Sequence, residues 1–366
     1  MNRYLIVFRG NINKTVLLNY GALNIEALDS IGNLALCDLE DSQADLLKDD
    51  SAIRSIERDN DDEFNDTFDA QSESYAIDLM DVKKFHEEGI TGKGVKVAVL
   101  DSGIQKHEDL KISGGYNAYN KNLPYDANLA SAHGTKVAGV IGMQDNNKGN
   151  LGVAPGCELY AVRIDNGSGS INRTLWSAQI KAIDWCIKNG MDAINCSFSS
   201  ETESEARREA FERAYEAGIA IFCSGGNRQN GVSENESTIG YPSKYPFVIT
   251  VANITSGKKR YSSSSVGRGI NFSSGGVSIR STTIDSNNKI SAKYANGTGT
   301  SYASPAVLGM YALYKEKYGE SRDKILQRMY VNAESIGDKW KFGRGIPIYP
   351  TINYENIQIR GRRYAN

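Results

Sequence analysis

The sequence VKVAVLDSGI, residues 95–104, decides the fold of this 366-residue chain. Its first six residues are apolar except for Lys96, which is typical of a strand buried inside a sheet. Similar runs recur along the chain and are separated by longer helical patterns. They are ELYAVRI (158–164), DAINC (192–196), IAIFCSGG (219–226) and FVITVA (247–252). This alternation predicts an α/β fold in which a parallel sheet is flanked by helices.

The residues before this region predict a separate, smaller unit. Residues 1–59 alternate between apolar runs at 4–8 and 33–39 and helix-like stretches near 15–20 and 41–50, and end with the strand-like AIRSIERD. This order predicts a small α+β, ferredoxin-like domain. Carboxylates crowd residues 59–69, so we expect residues 60–75 to be an exposed linker. The larger domain then covers 76–350, and 351–366 form a tail without assigned function.

Composition excludes several classes of function. Lysine and arginine number 42 against 44 acidic residues, giving a net charge of -2, so no field favours nucleic acid or an anionic membrane. The apolar runs are too short to cross a bilayer. The N-terminus lacks the pattern of a secretory signal, and five scattered cysteines do not suggest a disulfide framework. A cytoplasmic location is therefore expected, or a secreted one if a signal has been trimmed and replaced by the first Met.

Two residues suggest acid–base chemistry. Asp101 ends the strand VKVAVL, and ligand crevices open at the carboxyl ends of parallel strands. His133 starts the helical run HGTKVAGVIG, which lets its ring project into such a crevice. An aspartate that caps a turn is the alternative for Asp101. The other two histidines, His86 and His107, lie in contexts that predict structural roles.

A serine near the C-terminal end is a candidate nucleophile. Ser301 lies in NGTGTSYASPAVLGMYALY, where a glycine-containing turn leads into an apolar helix. The helix dipole favours an anion formed beside such a serine, although helix capping alone also explains a serine there. The turn lacks the second glycine of the G-x-S-x-G elbow, and the order Asp, His, Ser differs from the order in enzymes with that elbow.

Three segments together resemble a known family. VAVLDSGI, HGTKVAG and GTSYASP resemble, in this order, the signature segments of the subtilisin-like serine proteases. The resemblance implies a serine endopeptidase whose triad is Asp101, His133 and Ser301, which acts through an acyl-enzyme on protein or peptide substrates. Asn227, in FCSGGNRQNG, matches the oxyanion asparagine of the family. Two alternatives are a processing protease dedicated to one precursor and an inactive, protease-like binding protein.

The resemblance also implies where a substrate binds. An extended peptide would lie between two backbone segments, Gly167-Ser168-Gly169 and Ser197-Phe198-Ser199. The side chain before the cleaved bond would enter a pocket lined by Ser197, Phe198, Ser199, Gly225, Gly226 and Gly240. Glycine walls leave room for a medium-to-large apolar side chain. Lys136, Tyr302 and Ala306 depart from the residues usual in the family, which leaves the pocket shape and catalytic efficiency open.

Two further expectations follow from the same resemblance. Residues 1–59 would be an inhibitory propeptide of a self-processing zymogen, cut between Asp59 and Ser72, and Ala70-Gln71 matches the mature start of relatives. A separate binding domain is the alternative. A structural calcium site is also implied, and a polar turn without metal is its alternative. Its ligands would be oxygens of Gln71, Asp109, Gln144, Asn146, Lys148 and Asn150.

Overall fold

The computed structural model describes residues 1–64, 74–126, 129–165, 173–228 and 232–352. The N-terminal unit consists of β1 (Asn2–Phe8), α1 (Lys14–Asn19), β2 (Leu23–Ala27), β3 (Leu34–Leu39), α2 (Asp41–Leu47) and β4 (Ile53–Arg58). Its four antiparallel strands are ordered β2-β3-β1-β4. The βαββαβ order agrees with the predicted ferredoxin-like unit. Its own apolar core includes Ile6, Leu17, Leu39, Leu47 and Ile53.

The rest of the chain supplies the larger layered domain. Its strands are β5 (Asp61–Phe64), β6 (Lys96–Asp101), β7 (Ile112–Asn117), β8 (Glu158–Arg163), β9 (Arg173–Leu175), β10 (Ala193–Cys196), β11 (Phe198–Ser199), β12 (Ala220–Ser224), β13 (Ile249–Ile254), β14 (Ile270–Gly275), β15 (Ile279–Thr282), β16 (Tyr294–Gly297), β17 (Ala333–Glu334) and β18 (Ile346–Pro347). Its helices are α3 (Ala76–Leu79), α4 (Val82–Glu87), α5 (His133–Gly142), α6 (Trp176–Lys188), α7 (Glu205–Glu216), α8 (Thr300–Tyr318), α9 (Arg322–Val331) and α10 (Lys339–Phe342).

Seven parallel strands form the central sheet, in the order β14-β13-β12-β10-β6-β8-β7. Alternate residues of β6 point to opposite faces, as in any strand. Val97 and Val99 pack in one core with residues of α5 and α8, while Ala98 and Leu100 pack in another with residues of α6 and α7. The predicted α/β fold, a parallel sheet flanked by helices, is confirmed.

Some elements differ from the expectations. Strands β7 (ISGGYN) and β14 (INFSSG) were not predicted, because glycine and serine interrupt their apolar runs. Strand β5 lies within the segment expected to be an exposed linker, and it forms because two other backbone segments pair with it. Among the described residues, no helix has the length and apolar character needed to cross a bilayer.

The five cysteines are all buried and form no disulfide. Cys196 and Cys223 lie side by side in the register of β10 and β12. Burial raises the pKa of the Cys157 thiol to about 12, so this side chain stays protonated at neutral pH. These cysteines therefore act as small apolar residues of the core.

Candidate active site

Asp101 and His133 form a buried pair at the carboxyl end of the sheet. Asp101 is the last residue of β6, and His133 is the first residue of α5. Nδ1 of His133 lies 2.8 Å from Oδ1 and 2.9 Å from Oδ2 of Asp101. The backbone N–H of Ser102 donates to the same Oδ1 at 2.7 Å and fixes the carboxylate. The carboxylate therefore holds Nδ1, which directs proton exchange to Nε2 of the ring.

Gly134 allows this close approach of helix and strand. A Cβ atom at position 134 would lie 2.4 Å from the carbonyl oxygen of Gly103 and 3.0 Å from Cβ of Asp101. Any larger residue would therefore push the start of α5 away from β6 and separate His133 from Asp101. The glycine that follows the histidine at the helix start is thus required for α5 to pack closely against β6.

Ser301 lies at the start of α8. The helix follows Gly299, whose φ of 155° is rarely adopted by residues that carry a side chain. Ser301 is fully buried. Oγ of Ser197 donates to the carbonyl oxygen of Ser301 at 3.1 Å, and Oγ of Ser301 lies 3.5 Å from the carbonyl oxygen of Ser197. The ring of the next residue, Tyr302, lies edge-on to the His133 ring with centroids 6.2 Å apart. The structure therefore brings Ser301 to the edge of the sheet that holds Asp101 and His133.

Asn227 is positioned by the turn that carries Ser301. The backbone N–H and the hydroxyl of Thr300 both donate to Oδ1 of Asn227, each at 3.1 Å. The opposite end of the amide, Nδ2, is buried and has no hydrogen-bond partner among the described residues. A buried donor without a partner is costly unless a ligand supplies the acceptor. Asn227 therefore presents an amide that can donate to an oxyanion formed beside Ser301.

The predicted pocket residues converge on Ser199. A Cβ at Gly240 would lie 3.2 Å from Cβ of Ser199, and a Cβ at Gly226 would lie 3.8 Å from its Oγ. Gly225 follows strand β12 and donates its N–H to the carbonyl oxygen of Val251 at 2.9 Å. Gly226 and Gly240 thus both approach Ser199, one of the residues that the sequence predicted to line the pocket.

A strand from the N-terminal part of the chain runs beside this site. Strand β5 is the middle strand of a three-stranded sheet in the order β11-β5-β9, and both pairings are antiparallel. Phe64 pairs with Phe198, and Glu63 pairs with Ser199 on one side and Arg173 on the other. Residues 63 and 64 therefore pair antiparallel with Phe198 and Ser199, the arrangement in which an extended peptide adds to a strand edge.

One edge of this groove escaped the sequence analysis. Gly167, Ser168 and Gly169 lie outside the described residues. On the side of β5 opposite Phe198 and Ser199, the pairing segment is Arg173–Leu175. These residues immediately precede helix α6, and the N–H of Trp176 donates to the carbonyl oxygen of Asn60 at 2.6 Å. Nothing in their composition marks them as a groove edge. Their position directly before a helix that starts near the site was the available signal.

The N-terminal unit docks on helices α6 and α7 through their N-terminal ends. The side chain of Asp59 accepts from the N–H of Ser177 at 2.7 Å and from its hydroxyl, while Glu57 accepts from the N–H of Ala206 at 2.8 Å. Each carboxylate caps a helix and meets the positive end of its dipole. Apolar residues of the two parts share one core, including Leu5, Val7, Leu34, Ala178 and Phe211.

The other two histidines have structural contacts. Nε2 of His86 lies 3.0 Å from the carbonyl oxygen of Val153. Nε2 of His107 lies 2.8 Å from the carbonyl oxygen of Lys293, and its Nδ1 accepts the N–H of Asp109 at 3.0 Å. Both rings hold backbone segments together, which agrees with the structural roles expected for them.

The predicted calcium loop places Asn146 against Asp109. Asp109 is fully buried, and it accepts hydrogen bonds from Nδ2 of Asn146 at 2.9 Å, from the N–H of Gln144 at 3.2 Å and from the hydroxyl of Tyr294 at 3.2 Å. Burial raises the pKa of the Asp109 carboxyl above its ordinary value. Among the described residues, no group of three or more His, Cys, Asp or Glu could hold a metal.

The remaining predicted ligands of this loop have different surroundings. The ammonium of Lys148 pairs with Glu108 at 3.2 Å, so only its backbone could contribute to a metal site. Nδ2 of Asn150 lies 3.3 Å from the carbonyl oxygen of Arg280. Gln71 lies outside the described residues.

The departures Lys136 and Tyr302 belong to one packing arrangement. A Cβ at Gly297 would lie 2.0 Å from Cζ of Tyr302, so the ring occupies the space that any other residue at 297 would need. The ammonium of buried Lys136 lies 5.8 Å from the centroid of the same ring. Ala306 is buried in the core of α8. The large ring next to Ser301 is thus accommodated by a glycine and leaves the Asp101–His133 pair intact.

Comparison with known proteins agrees with this geometry. Residues 92–345 match the model of the subtilase family of peptidases. Subtilisin DY of Bacillus licheniformis is 39% identical over 279 residues, which cover 76% of this chain and 97% of that protein. The chain is a subtilase. This subtilase is a serine endopeptidase that acts on protein or peptide substrates.

Other relatives extend the comparison of this subtilase. Subtilisin E of Bacillus subtilis is 36% identical over 317 residues, 86% of this chain and 79% of that protein. The minor extracellular protease Epr of the same species is 34% identical over 283 residues, 76% of this chain and 41% of that protein. The cytoplasmic location expected from the sequence finds no support among these relatives.

The fold of the subtilase is also found in a solved structure. Fervidolysin from Fervidobacterium pennivorans, described as a keratinolytic enzyme related to subtilisin, superimposes with a TM-score of 0.81 at 22% identity. The alignment covers 95% of this chain and 60% of that chain. At this identity the match supports the fold alone.

Proposed function

We propose that the enzyme hydrolyses peptide bonds through the triad Asp101, His133 and Ser301. Ser301 Oγ attacks the carbonyl carbon and gives its proton to Nε2 of His133, which then protonates the leaving amine. Water repeats the sequence on the acyl-enzyme and releases the second product. Asp101 keeps the proton on Nδ1 and stabilises the imidazolium. The observation that carries this proposal is the buried contact of 2.8 Å between Nδ1 and Oδ1.

Asn227 would stabilise the tetrahedral oxyanion. Its Nδ2 is held in a fixed direction because Thr300 binds the opposite end of the amide. A donor positioned before the reaction costs no reorganisation when charge develops. The buried Nδ2 without a partner among the described residues supports this role.

We further propose that the chain is a self-processing zymogen with residues 1–59 as its propeptide domain. Strand β5 lies along the groove in the antiparallel arrangement of a bound peptide, and the unit that precedes it caps α6 and α7 through Asp59 and Glu57. A groove filled in this way cannot accept another substrate. The docked arrangement therefore supports inhibition by the enzyme's own propeptide.

The strand register supports cleavage within the predicted window of residues 59–72. Phe64, the last residue of β5, pairs with Phe198, which directly follows Ser197. Ser197 is the residue that exchanges hydrogen bonds with Ser301. Strand β5 therefore ends beside the segment that contacts Ser301, which supports a cut within this window.

We also propose a structural calcium ion at the loop that follows α5. The buried carboxylate of Asp109 supports this proposal, because calcium prefers oxygen ligands. The amide of Asn146, whose Nδ2 donates to that carboxylate at 2.9 Å, would turn its oxygen towards the ion. Backbone carbonyls of Gln144, Lys148 and Asn150 would complete the set with Gln71. The ion would fix this loop after the end of α5 and would take no part in bond cleavage.

Activity of wild type beside Ser301→Ala tests the proposed mechanism. Wild type should hydrolyse casein and should react with a fluorophosphonate probe, because that probe labels an activated serine. The variant should do neither, while its circular dichroism spectrum stays that of wild type. Labelling or casein hydrolysis that persists in a folded Ser301→Ala protein would exclude Ser301 as the nucleophile.

A further inference from the structure

Arg228 places a positive charge at the pocket for the side chain before the cleaved bond. It directly follows Asn227, and its Nη2 donates to the carbonyl oxygen of Ser199 at 3.2 Å. Its Nη1 lies 3.0 Å from where a Cβ at Gly240 would be. The guanidinium therefore lies between two of the walls described above, within reach of a side chain that enters between them.

The charge on Arg228 is only weakly compensated. Its partner Glu201 lies 3.7 Å from Nη1 and its side chain is 85% exposed, whereas the Arg228 side chain is 28% exposed. An exposed pair at this distance contributes little. A guanidinium carries five N–H donors, and among the described residues one hydrogen bond, to Ser199, uses them. Donors thus remain available for a ligand.

A second arginine fixes the backbone next to the pocket. Arg207 is fully buried, and its Nη2 donates to Oγ of Ser200 at 3.2 Å and to the carbonyl oxygen of Thr202 at 3.0 Å. It therefore holds the backbone that follows Ser199. The carboxylate of Glu203 accepts the hydroxyl of Tyr241 at 3.0 Å.

We propose that Arg228 makes this enzyme prefer a glutamate or aspartate side chain immediately before the cleaved bond. A carboxylate can accept two parallel N–H groups from one guanidinium, an arrangement stronger than a neutral hydrogen bond. An apolar side chain there would cover the charged group without satisfying it, which is unfavourable. This inference rests on the proposed function and replaces the apolar preference that the glycine walls suggested.

The test compares peptide substrates that differ only before the cleaved bond. Chromogenic tetrapeptides ending in Glu, Gln or Leu share their other residues, and the readout is the ratio of kcat/KM for Glu over Gln. Glutamine matches glutamate in size and lacks its charge. We expect a ratio above one in wild type and a fall of about ten- to a hundredfold in Arg228→Gln, as for loss of a hydrogen bond to a charged group.

Two further variants sharpen the comparison. Glu201→Gln removes the competing carboxylate and should raise the ratio. Arg208→Gln removes the same charge from an exposed position on α7 and should leave the ratio as in wild type. A second peptide series, varied two residues earlier in the substrate, should not respond to Arg228→Gln, because the inference places the guanidinium in reach of the side chain that enters between Ser199 and Gly240.

The outcomes separate this inference from the proposed function. If wild type cleaves these peptides in a Ser301-dependent manner and Arg228→Gln leaves the Glu/Gln ratio unchanged, the role of Arg228 is wrong and the mechanism stands. A response confined to the second series also overturns it. If wild type cleaves none of the peptides and does not hydrolyse casein, the proposed function itself fails.

Discussion

Nδ1 of His133 lies 2.8 Å from Oδ1 of Asp101, and both side chains are shielded from solvent. A buried carboxylate at this distance selects the tautomer with the proton on Nδ1 and leaves Nε2 able to take a proton from a nucleophile. The pair also explains why Gly134 follows the histidine, since a side chain there would contact Asp101.

Asp101→Asn should reduce kcat by about 10⁴-fold while leaving the fold intact, because the amide presents the wrong partner to Nδ1. The measurement is kcat on a chromogenic peptide, with the thermal transition as a check of folding. His86→Gln serves as the matched control, since its ring contacts Val153 away from the triad, and should keep near-normal turnover. Equal losses in both variants would indicate a folding effect and remove the special role of Asp101.

Asn227→Ala should lower kcat by about 10²–10³-fold with little change in KM, the size known for removal of one oxyanion donor in a subtilisin. Thr300→Val removes the hydroxyl that binds Oδ1 of Asn227 but keeps the backbone donor, so a smaller loss in kcat is expected. Steady-state kinetics on one peptide measures both variants. An unaltered kcat in Asn227→Ala would exclude the amide from the mechanism.

The sequence was sufficient to predict the strands whose apolar runs are unbroken. It was also sufficient to predict which residues lie at the carboxyl ends of those strands. VKVAVL predicted β6 and the position of Asp101, and HGTKVAGVIG predicted the start of α5 at His133. Strands such as ISGGYN were not recognisable, because their burial comes from neighbours in the sheet rather than from their own composition.

The groove was harder to derive for the same reason. Arg173–Leu175 becomes a groove edge only because residues 61–63 pair with it, and no local pattern encodes that pairing. The charge of Arg228 was visible in FCSGGNRQNG, yet its proximity to Ser199 and Gly240 depends on how two distant loops fold. Local periodicity predicts helices and strands. The charges that line a pocket depend on tertiary contacts between distant loops, which local periodicity does not show.

Loss of a helix cap should weaken inhibition by the propeptide. Asp59→Ala removes the acceptor at the start of α6, and removal of such a cap costs about 0.5–2 kcal/mol, so the inhibition constant should rise by about two- to thirtyfold. Inhibition of the processed enzyme by added residues 1–69 measures this. Asp49→Ala, at an exposed position of the same unit, is the control. Identical inhibition by both fragments would contradict the capping role.

Chelation should lower the melting temperature if calcium binds at Asp109. An ion that binds only the folded state stabilises it by mass action, so its removal by EDTA lowers Tm and added calcium restores it. Asp109→Asn retains the size of the side chain and should abolish the response to EDTA, whatever its own Tm. A wild-type Tm that does not change with EDTA, together with no metal in elemental analysis, would refute the site.

The zymogen proposal predicts that wild type shortens itself and Ser301→Ala does not. The variant should keep the full mass of 40.1 kDa, since every cleavage needs the nucleophile. Wild type should lose its first residues by a cut between positions 59 and 72, because β5 pairs with the segment that contacts Ser301. Intact mass spectrometry and N-terminal sequencing read out the bond directly.

The variants for this experiment follow from the same register. Phe64→Pro removes the backbone N–H of the residue that pairs with Phe198, so the strand should dock less well and self-cleavage should slow. Asp49→Ala changes a residue outside β5, and this variant should process itself at the wild-type rate. Wild type that stays full length while it hydrolyses casein would show that residues 1–59 are not a propeptide. Cleavage outside residues 59–72 would show that β5 does not present the bond to Ser301.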